Sequence, residues 1–233
     1  MGRTTERVDY DEQALEPIKP PMQASSSTDE DSMQRVFATL VAIGVALGAA
    51  RAGAEDAQVA EARQAVQTLA SQLKEALGSA LQQGGVDEAI RVCQREAQGL
   101  AAKVSAATGW EVARTSTRYR NPANAPDPWE RRVLAGFEAR RAAGEAPETL
   151  EFSEWVETGG TRMLRYMKAI PTGQVCLGCH GTTIAPKAAA ALREAYPEDR
   201  ATGFSAGELR GAFTLKKGSS GECRGRLVNE VEP

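Results

Sequence analysis

The only histidine in this 233-residue chain, His180, stands directly behind two of its four cysteines, in Cys176-Leu177-Gly178-Cys179-His180. Two thiols three positions apart can add to the two vinyl groups of one porphyrin. An imidazole immediately after them can meet the iron from the same side, so the pattern reads as covalent attachment of one c-type haem through Cys176 and Cys179, with His180 as proximal ligand. A zinc site would need four ligands, usually in two paired clusters, and the chain has no second CxxC and no HxxxH. A thioredoxin-like dithiol would sit between a strand and a helix, but the histidine that follows and the export signal described below favour haem.

With the only histidine used, a second histidine ligand from the same chain is excluded. The candidates for the sixth position are Met163, Met167, Cys93, Cys223, a lysine or an open site. Met163 and Met167 lie on the strand leading into the motif, where a His/Met electron-transfer site is plausible, although core packing is the commoner fate of methionine. Cys93 falls on the apolar stripe of a helix. A lone buried cysteine is more often an inert small hydrophobe, and in an exported protein Cys93 could pair with Cys223. Cys223 itself sits in a Gly-rich tail without packing signals.

The chain is long enough for one good core with tails. Its formal net charge of −3 and 25% charged residues give no basic excess that would suggest nucleic acid. Low aromatic content, 5%, with abundant alanine points to helices packed at close range. Residues 1–32 are polar and broken by Pro17, Pro20 and Pro21, which makes them a disordered or mis-started extension. Met33-Gln34-Arg35, the apolar run 36–50 and Ala52-Gly53-Ala54 then have the shape of a signal peptide over 33–54. The run is short of the roughly 20 residues that span a bilayer. Left uncleaved, the same segment would serve as a membrane anchor. Export places the mature chain in the periplasm, with a haem domain over 55–215 and a flexible tail over 216–233.

Within that domain, Val59, Ala62, Val66, Leu69, Leu73 and Leu77 mark an amphipathic helix over about 56–83. Gly84-Gly85 breaks it. A second helix to Thr108 carries Val86, Ile90, Cys93, Ala97, Leu100 and Val104 on one stripe, and the two should pack as an antiparallel pair. Strands are expected over 110–119, 151–157, 162–170 and 210–215, with helices over 129–143 and 186–196 and a turn-rich loop over 121–128. The sum is an α+β domain. Arg114, Arg118 and Arg120 are candidates to pair with haem propionates. Trp129 and Trp155 are expected as core or pocket walls, and the loop 121–128 as a rigid lip beside the haem.

Several of these stretches carry a further resemblance. Arg120-Asn-Pro-Ala-Asn-Ala-Pro-Asp-Pro-Trp-Glu130, Tyr166-Met167-Lys168, Cys176-Leu-Gly-Cys-His180 and Gly203-Phe204 with Arg210-Gly211-Ala212 together resemble a family of exported haem-c proteins with a PAS-like fold, long known only as a domain of unknown function. The resemblance implies a PAS-like antiparallel sheet with flanking helices. It also implies axial ligation by the motif histidine and an upstream helical cysteine, which here is Cys93. A His/Cys site implies a redox sensor, with gas sensing as a variant and a simple periplasmic electron carrier as the alternative. No enzyme is expected, because a distal histidine and an acid/base pair are both missing. A redox or signalling partner is implied but not identified, and the oligomeric state is open.

Overall fold

The computed structural model describes residues 29–218, with side chains from Glu55 onward except Thr158. The expectations for the extension and for the tail with Cys223 therefore lie largely outside the described residues, as do those that concern the side chains of 33–54. The chain divides into two units, Met1–Arg51 and Ala52–Pro233. In the first, the backbone is helical from Asp29. Among the described residues no helix is long and apolar enough to cross a membrane.

Helix α1 (Asp29–Thr108) has one non-helical residue, Gly85, at φ 65 and ψ −154. In a straight helix Val66 and Val104 would stand more than about 50 Å apart at 1.5 Å per residue, yet they share one buried cluster. The helix is therefore folded back at Gly85 into two antiparallel arms, the expected pair with its break at the expected glycines. That backbone conformation is open to glycine almost alone. Gly85→Ala is expected to cost about 2 kcal/mol by that strain, read as a lower urea midpoint at unchanged m-value.

The arms cover one face of a four-stranded antiparallel sheet made of β1 (Glu111–Thr115), β2 (Glu151–Thr158), β3 (Thr161–Pro171) and β4 (Leu209–Gly218), in the order β1-β4-β3-β2. Period-2 alternation sorts β3 between the two faces. Leu164 and Tyr166 join Val59, Leu69 and Val104 under the arms. Met167 and Ala169 point the other way, to helix α2 (Pro128–Ala142), where they pack with Trp129, Val133 and Phe137. The expected α+β architecture is what the chain forms. Two boundaries differ. β1 stops at Thr115 rather than Tyr119, because the Ser116 N–H donates to Asn124 O at 3.1 Å and its Oγ to Arg210 O at 2.8 Å, which turns the chain out of the ladder. Lys216 to Gly218, expected as loose tail, extend β4, paired with Arg165, Leu164 and Met163.

The loop 121–128 is held by hydrogen bonds of its own, and its Asn121 and Asn124 also line the cavity beside the Cys-His motif, as expected of a lip. Asn121 Oδ1 accepts the Ala123 N–H at 2.9 Å and so caps a 3-10 turn. Asp127 and Glu130 form a reciprocal capping box at the start of α2, with Pro128 in the first turn, satisfying two orphan N–H groups at once. Trp129 is core on the α2 face, and Trp155 packs against the cluster under the arms.

One ion-pair network ties the arms to the sheet. Arg63 Nη2 donates to Glu151 Oε1 at 2.5 Å, and Tyr166 OH donates to Glu151 Oε2 at 2.7 Å. The Arg63 bond foremost, with help from Tyr166, holds the Glu151 carboxyl down at about 2. A carboxylate with a depressed folded pKa stabilises the fold above its unfolded pKa of about 4.3 and loses that contribution as pH falls. Stability is expected to drop between about pH 4.5 and pH 2, and Glu151→Gln to flatten that part of an acid titration followed by circular dichroism.

Candidate functional site

Where β3 ends, the Thr172 N–H donates to Glu208 O at 2.8 Å and the Gly207 N–H returns to Thr172 O at 2.9 Å. The chain then closes one turn of helix, α3 (Leu177–His180). Cys176 is already helical in φ and ψ as its N-cap, so Cys176, Cys179 and His180 fall at i, i+3 and i+4 and share one face. Gly181 ends the turn by close approach, since a Cβ there would lie 2.6 Å from Leu177 O. Two bonds fasten the turn to the segment before β4: the Gly203 N–H to Gly181 O at 2.9 Å and the Phe204 N–H to His180 O at 2.8 Å.

That shared face lines a cavity of about 280 Å³, near the lower bound of ligand sites at about 300 Å³. Both arms of α1 wall it, Leu73, Leu77 and Leu81 from one and Val86, Ile90 and Cys93 from the other. Ile170 and Arg210 contribute from the sheet, and Leu192 and Tyr196 from helix α4 (Pro186–Ala195) and its end. Cys93, distant in sequence from Cys179 and His180, thus faces the same space as they do. Cys93, Cys176 and Cys179 are free thiols. The Cys93 thiol is accessible from the cavity, while the protein packed around it pushes its pKa up against the downward pull of Arg114.

His180 Nδ1 lies 2.6 Å from Ala201 O. A carbonyl only accepts, so Nδ1 carries the proton and Nε2 keeps its lone pair. Burial first, then the charges of Arg210 and Arg120, hold the imidazole pKa down at about 2. It is neutral at every ordinary pH, the state a metal ligand requires.

The sixth-position candidates separate by face. Met167 is fully buried against α2 and Met163 has the same β3 parity, so both are directed away from the cavity. Among the lining residues there is no lysine, and Cys93 is the one sulfur ligand apart from the motif itself. Among the described residues, no group of three or more His, Cys, Asp or Glu is placed to hold a metal ion.

The arginines need a correction. Arg118 does not line the cavity: it stacks on Phe204 at 3.7 Å, donates to Thr202 O and pairs with Glu208 at 3.8 Å. Arg120 does line it, but its guanidinium is engaged by Asp199 and by two carbonyls. Arg114 is half-buried there, and the loss of surrounding water lowers its pKa. The fourth, Arg210, stands in the Arg210-Gly211-Ala212 stretch of the resemblance but is not among the arginines expected at the site. Its Nε lies 3.2 Å from His180 Nδ1 and 3.4 Å from Nε2, and burial lowers its pKa to about 10. A charged residue at the start of a core strand was the available signal. Among the described residues neither Arg114 nor Arg210 forms a salt bridge, so two half-buried cations line the cavity without a carboxylate, Arg210 Nη1 donating instead to Arg118 O at 3.2 Å and to Ser116 Oγ at 3.4 Å.

Apolar walls, two thiols and a neutral imidazole on one side, a thiol on the helix arm and two guanidinium groups without a carboxylate partner among the described residues together fit a flat, apolar, dianionic macrocycle with a metal at its centre. The family model described as "Tll0287-like: Tll0287" matches residues 48–217, most of the chain. A solved structure, titled the crystal structure of the cyanobacterial heme-protein Tll0287, is similar at 28% identity, over 66% of this chain and 92% of that one, with a TM-score of 0.49. No curated protein matches.

Proposed function

The chain belongs to the Tll0287-like family, and on that premise we propose that it is a periplasmic monohaem c-type cytochrome acting as a redox sensor, with its iron between His180 and Cys93. The observation that carries this reading is the convergence of the motif thiols, the His180 imidazole and the Cys93 thiol on one cavity. Cys176 and Cys179 would anchor the ring by thioether bonds. His180 presents Nε2 with its other nitrogen tied to Ala201. Arg114 and Arg210, which have no carboxylate partner among the described residues, would suit the propionates, and the leucines of the first arm would keep water off the ring.

When bound, the haem supplies a one-electron iron centre whose ferric form favours a thiolate and whose ferrous form favours a thiol or a lost ligand. Cys93 is positioned to report that preference. Its arm begins at the Gly85 turn and is joined to α4 by Asp87–Lys187 at 2.7 Å and by Gln94 Nε2 to Ala195 O at 2.7 Å. A change in Cys93 ligation would therefore act on an arm and a helix that are fastened together, and through them on a redox or signalling partner. A vacated site would also admit CO or NO, the gas-sensing variant.

The second reading, a plain electron carrier, is favoured by Val175, 67% exposed at the cavity edge beside Cys176, an apolar spot suited to brief contact with a redox partner. Neither reading includes catalytic turnover. Absorption spectra of the ferric, ferrous and CO-treated chain, matured in an export-competent host, test both. The sensor gives a thiolate-type ferric spectrum and a ferrous form that binds CO. The carrier stays six-coordinate in both states, with a pH-independent potential. A colourless chain, or pigment extracted by acid–acetone, removes both.

A further inference from the structure

We propose that Arg120 and Asp199 are a positioning pair that holds the Ala201 carbonyl against His180 Nδ1 and so keeps the Nε2 lone pair turned into the cavity. Only the consequence for haem iron rests on the function proposed above.

The Nδ1 bond is short, 2.6 Å, but its acceptor lies between α4 and β4, outside any regular element. No helix or ladder hydrogen bonds hold that carbonyl in place. The pair does so instead. Asp199 Oδ1 accepts the Ala201 N–H at 2.8 Å, and Asp199 Oδ2 accepts from Arg120 Nε at 3.1 Å. Arg120 Nη2 then donates to Cys179 O at 2.5 Å and to Ala201 O at 3.2 Å. One guanidinium thus grips the residue before His180 and also the carbonyl that His180 meets. Both side chains of the pair are only 12% exposed, so water is a poor substitute for either partner. A ligand histidine's orientation and donor strength are set by the bond its other nitrogen makes, and such outer partners are typically worth 10- to 100-fold in metal affinity or activity.

Because the chain has one histidine, a 15N-histidine-labelled full-length sample reports this ring alone. In the purified chain, Asp199→Ala and Arg120→Ala are expected to speed solvent exchange of the Nδ1 proton about tenfold or more. Arg120→Lys should restore much of the protection. Asp199→Asn, which keeps the amide acceptor and the shape, should raise exchange about threefold and carries the test if the alanine variants do not fold. Glu130→Ala, on the far face of the sheet, is the control for general loosening and should leave exchange near wild type. In haem-bearing protein, Asp199→Asn should also raise the midpoint potential, since a weaker imidazole donor and an uncompensated Arg120 charge both favour the ferrous state. A threefold shift in the reduction equilibrium corresponds to roughly 30 mV for one electron. Wild-type exchange rates in the Asp199 and Arg120 variants overturn the proposal, and so does equal acceleration by Glu130→Ala. A colourless wild-type chain defeats the haem reading instead, and the exchange comparison still decides the pair.

Discussion

Replacing Cys93 with alanine is expected to leave the haem covalently attached and the fold intact while moving the midpoint potential by on the order of 100 mV, given that axial ligands set haem potentials over about 0.8 V. The thiolate signature of the ferric spectrum should vanish with it. The direction is upward, because a thiolate stabilises ferric iron and its loss relieves the ferrous state of an unfavourable charge. Stability should change little. The Cys93 thiol is open to the cavity rather than enclosed in a core, so truncating it creates no new void. Met167→Ala supplies the opposite result. Its side chain is fully buried against α2, so truncation should cost about 3 kcal/mol and leave the spectrum alone. Spectra of Cys93→Ala that match wild type in both redox states would remove Cys93 from the iron.

The helical arms and the motif were legible in the sequence because each is a local pattern. Val59 to Leu77 and Val86 to Val104 carry their own period, and Gly85 punctuates them. Cys176, Cys179 and His180 need only one turn of helix to converge. What resisted reading depends on which side of the sheet a residue faces. Met163 and Met167 sit close to the motif in sequence, and only the register of β3 against β4 shows that they are directed away from it. Arg118 and Arg120 are two residues apart, yet one stacks on Phe204 outside the cavity while the other reaches Asp199. Arg210 meets His180 across 30 residues, a pairing no local window holds. The Asn121–Glu130 stretch, the most distinctive in the chain, proves to be turn and cap chemistry. Distinctive sequence there reflects a demanding backbone path, from which Asn121 and Asn124 alone reach the cavity wall.

Glu130 makes that last point measurable. It is 8% exposed, yet it accepts from Thr214 Oγ1 at 2.8 Å, from the Asp127 N–H at 3.0 Å and from Arg165 Nη2 at 3.4 Å. Arg165 lies over the Trp129 ring at 4.1 Å and is itself 12% exposed, with Asp127 as its other partner at 2.7 Å. Removing Glu130 leaves a largely buried cation half compensated and two donors unmet, losses that together cost about 3 kcal/mol. For a domain of this size that is a fall in Tm of roughly 10 °C. Glu130→Gln keeps one acceptor oxygen, enough for the Asp127 N–H, while its amide NH2 can donate to the Thr214 hydroxyl turned to accept, so it should lose less than Glu130→Ala. If the pair with Arg165 matters, adding Arg165→Met to Glu130→Ala should cost less than the sum of the two single changes, because removing both charges leaves neither one stranded. The haem spectrum should be the same in all of these variants, since the network lies on the α2 face and the cavity on the other. Additive losses would show that Glu130 acts through its cap and Thr214 alone. A changed spectrum would show that the α2 face communicates with the site.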